Sequence, residues 1–205
     1  MQFGAEGAGE ASSRHVFPSY RFPESAALAL SRAVQYAAFR RHPGGRILYF
    51  DEVDSGSARQ EVKALLDSSS EAVLWLEGER ARGILAFFGI PTARPDGTPE
   101  SADAEHATVE VRSDPSFGPL IRLSRAGKPP VVRITPLTDR DVHEVVESME
   151  IPTECGVEEL LGRISQLIEE LPWLCGMQGE IHRTQEAPAR CGVALGADVK
   201  IGFCH

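Results

Sequence analysis

One short segment combines glycine with two cationic side chains, the residue types that proteins use to hold a phosphate group. The segment is Arg125-Ala126-Gly127-Lys128, and it follows a short apolar run. Glycine lets backbone amides approach phosphate oxygens, and arginine or lysine neutralises their charge. Arg125, Gly127 and Lys128 are therefore candidate nucleotide-binding residues. The same cations are also typical of a solvated strand edge, where charge discourages pairing with other chains. The residues alone favour this second interpretation.

The histidines indicate no catalytic group. His143 is expected on the polar side of a helix, which favours a surface position. His106 and His182 flank predicted strands and have no acid or nucleophile partner that the sequence identifies. A hydrolase triad needs such partners. We therefore predict no catalytic residue.

Composition restricts the possible partners and compartment. The chain has 205 residues and a net charge of −9, which argues against a nucleic-acid partner. No apolar run approaches the length of a membrane span, and the amino-terminal residues lack the pattern of a secretion signal. We expect a cytoplasmic protein. Its four cysteines are widely spaced and are expected to be reduced thiols; they are Cys155, Cys175, Cys191 and Cys204.

Hydrophobic periodicity predicts three helices in the first half of the chain. The first begins at Pro23 and ends near Phe39, and two more cover residues 57–66 and 77–88. Residues 46–51 read as a short strand. Residues 1–15 are predicted to be disordered, and residues 94–106, which contain no large apolar side chain, read as a linker between two lobes.

The second half reads as strands and two amphipathic helices. Thr138 is predicted to cap a helix over 139–149, and residues 157–171 give the strongest apolar stripe in the chain. Strands are predicted over 107–112, 119–124, 130–134, 191–195 and 198–203. This order of elements predicts an α/β fold, with α+β as the alternative.

Five phrases of the sequence stand in a characteristic order: "YRFPESAALALSRAVQYAAFRRHPGG", "ERARGILAFFGIP", "DPSFGPLIRL", "ITPLTDRDVHEVVESM" and "VEELLGRISQLIEELP". Together they resemble the NDP-forming acyl-CoA synthetases, which include acetate–CoA ligase (ADP-forming). The same module occurs in bacterial protein lysine acetyltransferases. The resemblance implies a degenerate ATP-grasp-like lobe at 107–205, preceded at 16–93 by the end of the ligase-CoA region and the start of the ATP-grasp region.

The resemblance also implies a chemistry, and this sequence departs from the residues that the chemistry needs. The family makes or cleaves acyl-CoA through an acyl phosphate and a phosphohistidine, with ATP or ADP and magnesium in the ATP-grasp lobes. Its strand lysine has no counterpart here, since no lysine lies between Lys63 and Lys128. Its "FGxGG" loop is replaced by residues 123–127, of which Gly127 alone clearly matches. Its "LDLNP" metal ligands are replaced by Gln178 and Glu180, so Glu180 is the one remaining candidate metal ligand.

Two functional hypotheses follow. In the first, the chain is a non-catalytic ATP-grasp-derived module without a cofactor, and it acts as a scaffold, regulatory or partner-binding subunit for another protein or a second copy. Loss of family segments would then expose apolar patches at Leu30 and Val34, or at Phe87 and Phe88. In the alternative, the chain is the ATP- or ADP-binding component of an acetate–CoA ligase (ADP-forming). It would bind Mg-ATP or Mg-ADP and complete its active site with another chain.

Overall fold

The structure, a computed structural model, describes five helices and seven strands. The described residues are 19–41, 44–93, 107–151, 156–186, 190–196 and 198–204, so the predicted disordered terminus and linker lie outside them. The elements in chain order are α1 (Pro23–Arg41), α2 (Ser55–Ser68), β1 (Val73–Glu77), α3 (Gly78–Phe87), β2 (Ala107–Asp114), β3 (Gly118–Arg125), β4 (Val131–Ile134), α4 (Asp139–Ser148), α5 (Val157–Glu170), β5 (Leu174–Glu186), β6 (Arg190–Leu195) and β7 (Lys200–Cys204).

The chain divides into two compact units, residues 1–43 and 44–205. The first contributes α1, which begins with proline at its favoured first position and carries Glu24 in its first turn. Leu30 and Val34 on this helix are 66% and 59% exposed, which agrees with the first of the two alternative patches expected of a non-catalytic module. None of the described helices is both long enough and apolar enough to cross a membrane.

The second unit is built on one antiparallel sheet. Its strand order is β1-β7-β5-β2-β3-β4. Strand β5 is long enough to pair with two strands along the same edge: its first part pairs with β7, and residues 181–186 pair with β6. Strands from both sides of residues 94–106 join this sheet, since β1 pairs with β7. The domain boundaries drawn at that segment remain a prediction. The mixed α/β composition that the sequence predicted is confirmed.

Alternation along the strands gives the sheet two different faces. Val109 and Leu123 are buried, whereas their neighbours Thr108 and Arg122 are exposed. Successive side chains of a strand point to opposite sides, so the buried set lies against the helices. We call this side the helical face. The opposite side, which includes Thr108, Arg122 and Gln178, is the open face.

Helix α5 lies at the centre of the core and is buried on almost every side, including its polar positions Arg163, Ser165 and Gln166. Buried polar groups need hydrogen-bond partners, and the loops around the helix supply them. Gln166 accepts a hydrogen bond from the backbone N–H of Phe50 at 2.9 Å and donates one to its carbonyl oxygen at 3.2 Å. The Ser165 hydroxyl accepts one from the backbone N–H of Leu137 at 2.8 Å. The polar residues of α5 therefore fasten two loops to the core.

The hydrogen bonds between Gln166 and Phe50 explain why the strand predicted at 46–51 is wrong. The backbone of Phe50 bonds to a side chain of α5 rather than to a neighbouring strand. The β-pairing of this segment is one isolated bridge between Ile47 and Thr138. A short apolar run cannot be assigned from its own pattern, because a loop held by side-chain hydrogen bonds and a short strand share that pattern.

Replacing Gln166 by alanine should lower the free energy of unfolding by about 1–2 kcal/mol, because the partly buried backbone N–H of Phe50 would lose its partner and its carbonyl oxygen would keep only the longer bond from the N–H of Val53, at 3.5 Å. Urea unfolding followed by far-UV circular dichroism measures the loss. Gln178→Ala is the matched control. It removes the same side chain from the open face, and we expect less than about 0.5 kcal/mol. Equal losses in the two variants would show that the hydrogen bonds between Gln166 and Phe50 contribute nothing to stability.

Several other predictions are settled by these elements. The cap at Thr138 is confirmed as a capping box with Asp141. The helix predicted over 77–88 is confirmed from Gly78, but strand β1 directly before it was missed. The exposed patch proposed at Phe87 and Phe88 is wrong, because Phe88 is fully buried against the core and Phe87 is partly buried.

Candidate functional site

The segment with the two cations forms the turn between β3 and β4. The backbone N–H of Lys128 donates to the carbonyl oxygen of Arg125 at 3.1 Å, and Gly127 has a φ of 76°, which favours glycine. A Cβ atom added to Gly127 would contact nothing within 4 Å. The glycine is therefore required by the shape of the turn rather than by close packing.

Both cations of this turn are engaged at the end of helix α4. The Arg125 guanidinium donates to the carbonyl oxygens of Met149 and Glu150, at 2.5 Å and 2.7 Å. The Lys128 ammonium forms an ion pair with the Glu150 carboxylate. Carbonyl groups at a helix carboxyl end carry partial negative charge and lack partners within the helix, so cations are stabilising there. The two side chains act here as a structural clamp.

Glu150 is the centre of this clamp. Its φ is 52°, the left-handed region that non-glycine residues rarely adopt. The hydrogen bond from Lys128, followed by the charges of Lys128 and Arg125, holds the pKa of Glu150 below its ordinary value. The charges at this turn therefore stabilise an unfavourable backbone conformation.

The clamp should weaken at acid pH. The folded pKa of Glu150 is depressed, so its contribution is present above the ordinary value of 4.5 and is lost as pH falls through the lowered pKa. Urea unfolding at pH values between 7 and 3 should show this loss in the native chain. Lys128→Met should reduce the pH dependence over the low end of this range. An unchanged profile in Lys128→Met would contradict the coupling.

The open face carries a cross-strand row of charged and polar side chains. The strand register aligns one residue from each of six strands, and adjacent members are close enough to interact. Lys200 and Glu77 form an ion pair at 2.7 Å. The hydrogen bond that Lys200 donates to Glu77, followed by the charge of Glu77, raises the pKa of Lys200. The charged and polar members of the row are Glu77, Lys200, Gln178, Glu110 and Arg122, and the apolar Val132 ends it on β4.

Glu110 is the most connected member of this row. It accepts hydrogen bonds from Arg112 at 2.6 Å and from Gln178 at 3.3 Å, and Arg122 lies 3.5 Å away. Partial burial alone would raise the pKa of Glu110. The hydrogen bonds from Arg112 and Gln178 and the two arginine charges outweigh burial, so the pKa lies below its ordinary value. Glu110 is therefore held ionised, and it draws two arginines onto the sheet.

A shallow hollow of about 300 Å³ lies beside this row. Its lining residues carry three carboxylates and one ammonium group, and it opens to solvent. The lining residues are Thr108, Glu110, Ser124, Gln178, Gly179, Glu180, Asp198 and Lys200. This hollow brings together Gln178 and Glu180, the two residues that the resemblance predicted to replace metal ligands.

Glu180 lies on the open face, with its carboxylate 3.6 Å from the His182 imidazole. In the part of the chain that the structure describes, no group of three or more His, Cys, Asp or Glu residues is arranged to hold a metal ion. Arg125, by contrast, shares the alternation of Leu123 and reaches the helical face. The structure thus separates the candidate phosphate residues from the candidate metal ligand, on opposite faces of the sheet. A nucleotide or metal role for these residues remains a prediction.

Trp75 forms an aromatic platform on the open face that the sequence did not predict. Its indole ring lies over two glycines of neighbouring strands, and it remains 46% exposed. A Cβ atom at Gly202 would come within 3.0 Å of three ring atoms, and one at Gly176 within 2.9 Å of a fourth. The register places Trp75, Gly202 and Gly176 side by side. The two glycines therefore form a shelf for the indole.

The sequence carries a signal for this face. Residues 174–186 form β5, the longest described strand, which contains Gln178 and Glu180 and which the periodicity of the sequence had not been used to predict. Met177, Gly179 and Ile181 alternate with Gln178 and Glu180, which is the period of a half-buried strand. That alternation places Gln178 and Glu180 on one face.

Comparison with known proteins gives no match to a family model and no match among curated proteins. Similarity appears among solved structures, at low sequence identity. One is dinucleotide-forming acetyl-coenzyme A synthetase 1 of Ca. Korarchaeum cryptofilum, in complex with coenzyme A and Mg-AMPPCP. It is 12% identical, with a TM-score of 0.52, and the match covers 72% of this chain and 100% of that chain.

Two further structures give similar values. The same synthetase in complex with coenzyme A and acetyl-coenzyme A has a TM-score of 0.53 at 12% identity, covering 74% of this chain and all of that one. PH1788 from Pyrococcus horikoshii Ot3 has a TM-score of 0.54 at 13% identity, covering 74% of this chain and 98% of that one. TM-scores of this size at such low identity establish a shared fold and no shared activity. The chain therefore shares the α/β fold of these solved structures.

Proposed function

We propose that this chain is an ATP-grasp-derived module of an NDP-forming acyl-CoA synthetase or acetyltransferase type of protein, and that it is non-catalytic. The observation that carries the proposal is the engagement of Arg125 and Lys128 with the end of α4, on the face opposite Glu180. Electrostatic catalysis of phosphoryl transfer needs cations and metal ligands directed at one position. In this arrangement the two sets point away from each other.

The module is proposed to bind a protein partner through the open face of its sheet. The described helices of this unit pack on the other side, and apolar side chains stand exposed on the open face or at its border. These are Trp75, Phe117, Val132 and Ile134. Exposed apolar groups interspersed with charged residues are typical of protein interaction surfaces. A regulatory or scaffold subunit would use such a surface in place of a catalytic one.

The alternative function is that of an ATP- or ADP-binding component that completes its site with another chain. The hollow beside Glu180 and Lys200 favours it, because a second chain could supply the missing cations. The structural neighbour from Ca. Korarchaeum cryptofilum is described with Mg-AMPPCP bound. In this alternative, magnesium would contact Glu180 and the phosphates would approach Lys200.

Thermal unfolding with and without Mg-ADP separates the two functions. Saturating ligand that binds the native state stabilises it by about 3 kcal/mol at a hundredfold excess over Kd, a rise in Tm of about 5 °C or more. The non-catalytic proposal predicts no shift. It also predicts that Arg125→Ala lowers Tm in the absence of nucleotide, by about 2–4 °C, through the lost clamp. A rise in Tm that Glu180→Gln suppresses would support the alternative.

A further inference from the structure

Two half-buried cysteines meet where β5 and β7 pair irregularly. Leu174 is opposite Phe203 and Gly176 is opposite Gly202, so Cys175 is an extra residue in β5, in a bulge. Cys204 directly follows Phe203 on the partner strand. The register therefore brings the two cysteines to one corner of the sheet, and both are free thiols.

The contacts of Cys204 place its sulfur beside the bulge. Its backbone N–H donates to the carbonyl oxygen of Trp173 at 2.9 Å, and its thiol lies 3.7 Å from the same oxygen. The thiols of Cys175 and Cys204 also interact with each other. Burial, followed by the hydrogen bond to Cys204, raises the pKa of Cys175 to about 11. The irregular register and the interaction of the two thiols therefore bring both cysteines to one place on the sheet, as disulfide formation requires.

We propose that Cys175 and Cys204 form a redox site that a peroxide converts into an intramolecular disulfide. The Cys204 thiolate attacks hydrogen peroxide; the O–O bond breaks, Cys204 becomes a sulfenic acid, and the hydroxide that leaves takes up the proton that Cys204 had released. The Cys175 sulfur then attacks the Cys204 sulfur. The S–O bond breaks, and water leaves with the Cys175 proton. Two thiols are oxidised by two electrons, and the peroxide is reduced to two waters.

The disulfide would lock the carboxyl-terminal end of β7 to β5. Cys204 is also opposite Val73, so the bond would fix the place where β7 joins the edge strand β1. The bond would close a loop between Cys175 and Cys204, and a closed loop restricts the conformations that the unfolded chain can adopt. We expect the oxidised protein to unfold at a Tm about 5 °C above that of the reduced protein.

Tryptic mapping of the full-length chain tests the site directly, because the four cysteines fall in four different peptides. These cover residues 141–163, 164–183, 191–200 and 201–205. After treatment of the reduced protein with hydrogen peroxide, the peptide 164–183 should be linked to 201–205. The intact chain should lose two hydrogen atoms, and dithiothreitol should restore them.

A Cys155→Ser/Cys191→Ser variant leaves only the proposed pair and should give the same linked peptide in a monomer. Adding Cys175→Ser to it should abolish the loss of two hydrogens and leave Cys204 to gain oxygen instead. The proposal is overturned if peroxide links Cys175 or Cys204 to Cys155, to Cys191 or to another chain. It is equally overturned if Cys204 gains oxygen while Cys175 stays reduced, or if both thiols remain unreacted.

Discussion

Replacing Arg163 by alanine is expected to lower the free energy of unfolding by about 2–4 kcal/mol. Its guanidinium donates to the Glu52 carboxylate at 2.5 Å, to Glu159 at 2.9 Å and to the carbonyl oxygen of Phe88 at 3.0 Å. It also lies 4.3 Å from the centroid of the Phe50 ring. The two carboxylates are largely exposed and contribute little by themselves. The larger loss comes from the buried Phe88 carbonyl, which would keep no partner.

Urea unfolding measures this effect, with Arg140→Ala as the matched control. Arg140 pairs with Glu144 at 2.7 Å on the surface of α4, one helical turn away. Exposed pairs of this kind contribute less than about 1 kcal/mol. We expect Arg163→Ala to lower the free energy of unfolding clearly more than Arg140→Ala does. Losses of the same size would mean that neither the burial of Arg163 nor its hydrogen bond to the Phe88 carbonyl oxygen contributes to stability.

Replacing Gly202 by valine is expected to cost about 2–3 kcal/mol and to displace the Trp75 indole from its shelf. A Cβ atom at this position would meet three ring atoms at 3.0 Å. The loss of stability would come from the clash between the new side chain and the aromatic ring above residue 202, and not from the backbone conformation of that residue. The indole would move into solvent, and its fluorescence should shift to longer wavelength.

A double-mutant cycle identifies the cause. With Trp75 already replaced by alanine, Gly202→Val should cost much less, because the ring that it would strike is gone. The fluorescence measurement is made with Trp173→Phe, which leaves Trp75 as the single tryptophan. Additive losses would show that the glycine is required for another reason.

The helices were predictable because each carries its signal locally. The stripe of Val142, Val145 and Val146 defines α4, and Thr138 with Asp141 marks its start. The strand predicted at 46–51 failed for a non-local reason. Its backbone partner is the Gln166 side chain, which lies far along the chain and cannot be inferred from the pattern of the segment.

The faces of the candidate site were within reach of the sequence, but its contacts were not. Arg125 stands an even number of residues from Ile121 and Leu123, so alternation alone assigns it to the helical face. That Arg125 and Lys128 meet Glu150 depends on how α4 ends, which tertiary packing decides. The clamp could therefore be located only with the structure.

The central claim is that the two cations of the β3–β4 turn serve the fold and not a nucleotide. Isothermal titration calorimetry of the folded chain with Mg-ADP and Mg-ATP tests it most directly. We predict no heat beyond dilution at millimolar nucleotide, both for the native chain and for Arg125→Ala/Lys128→Ala. Saturable binding at micromolar concentration that is lost in the double variant would contradict the claim.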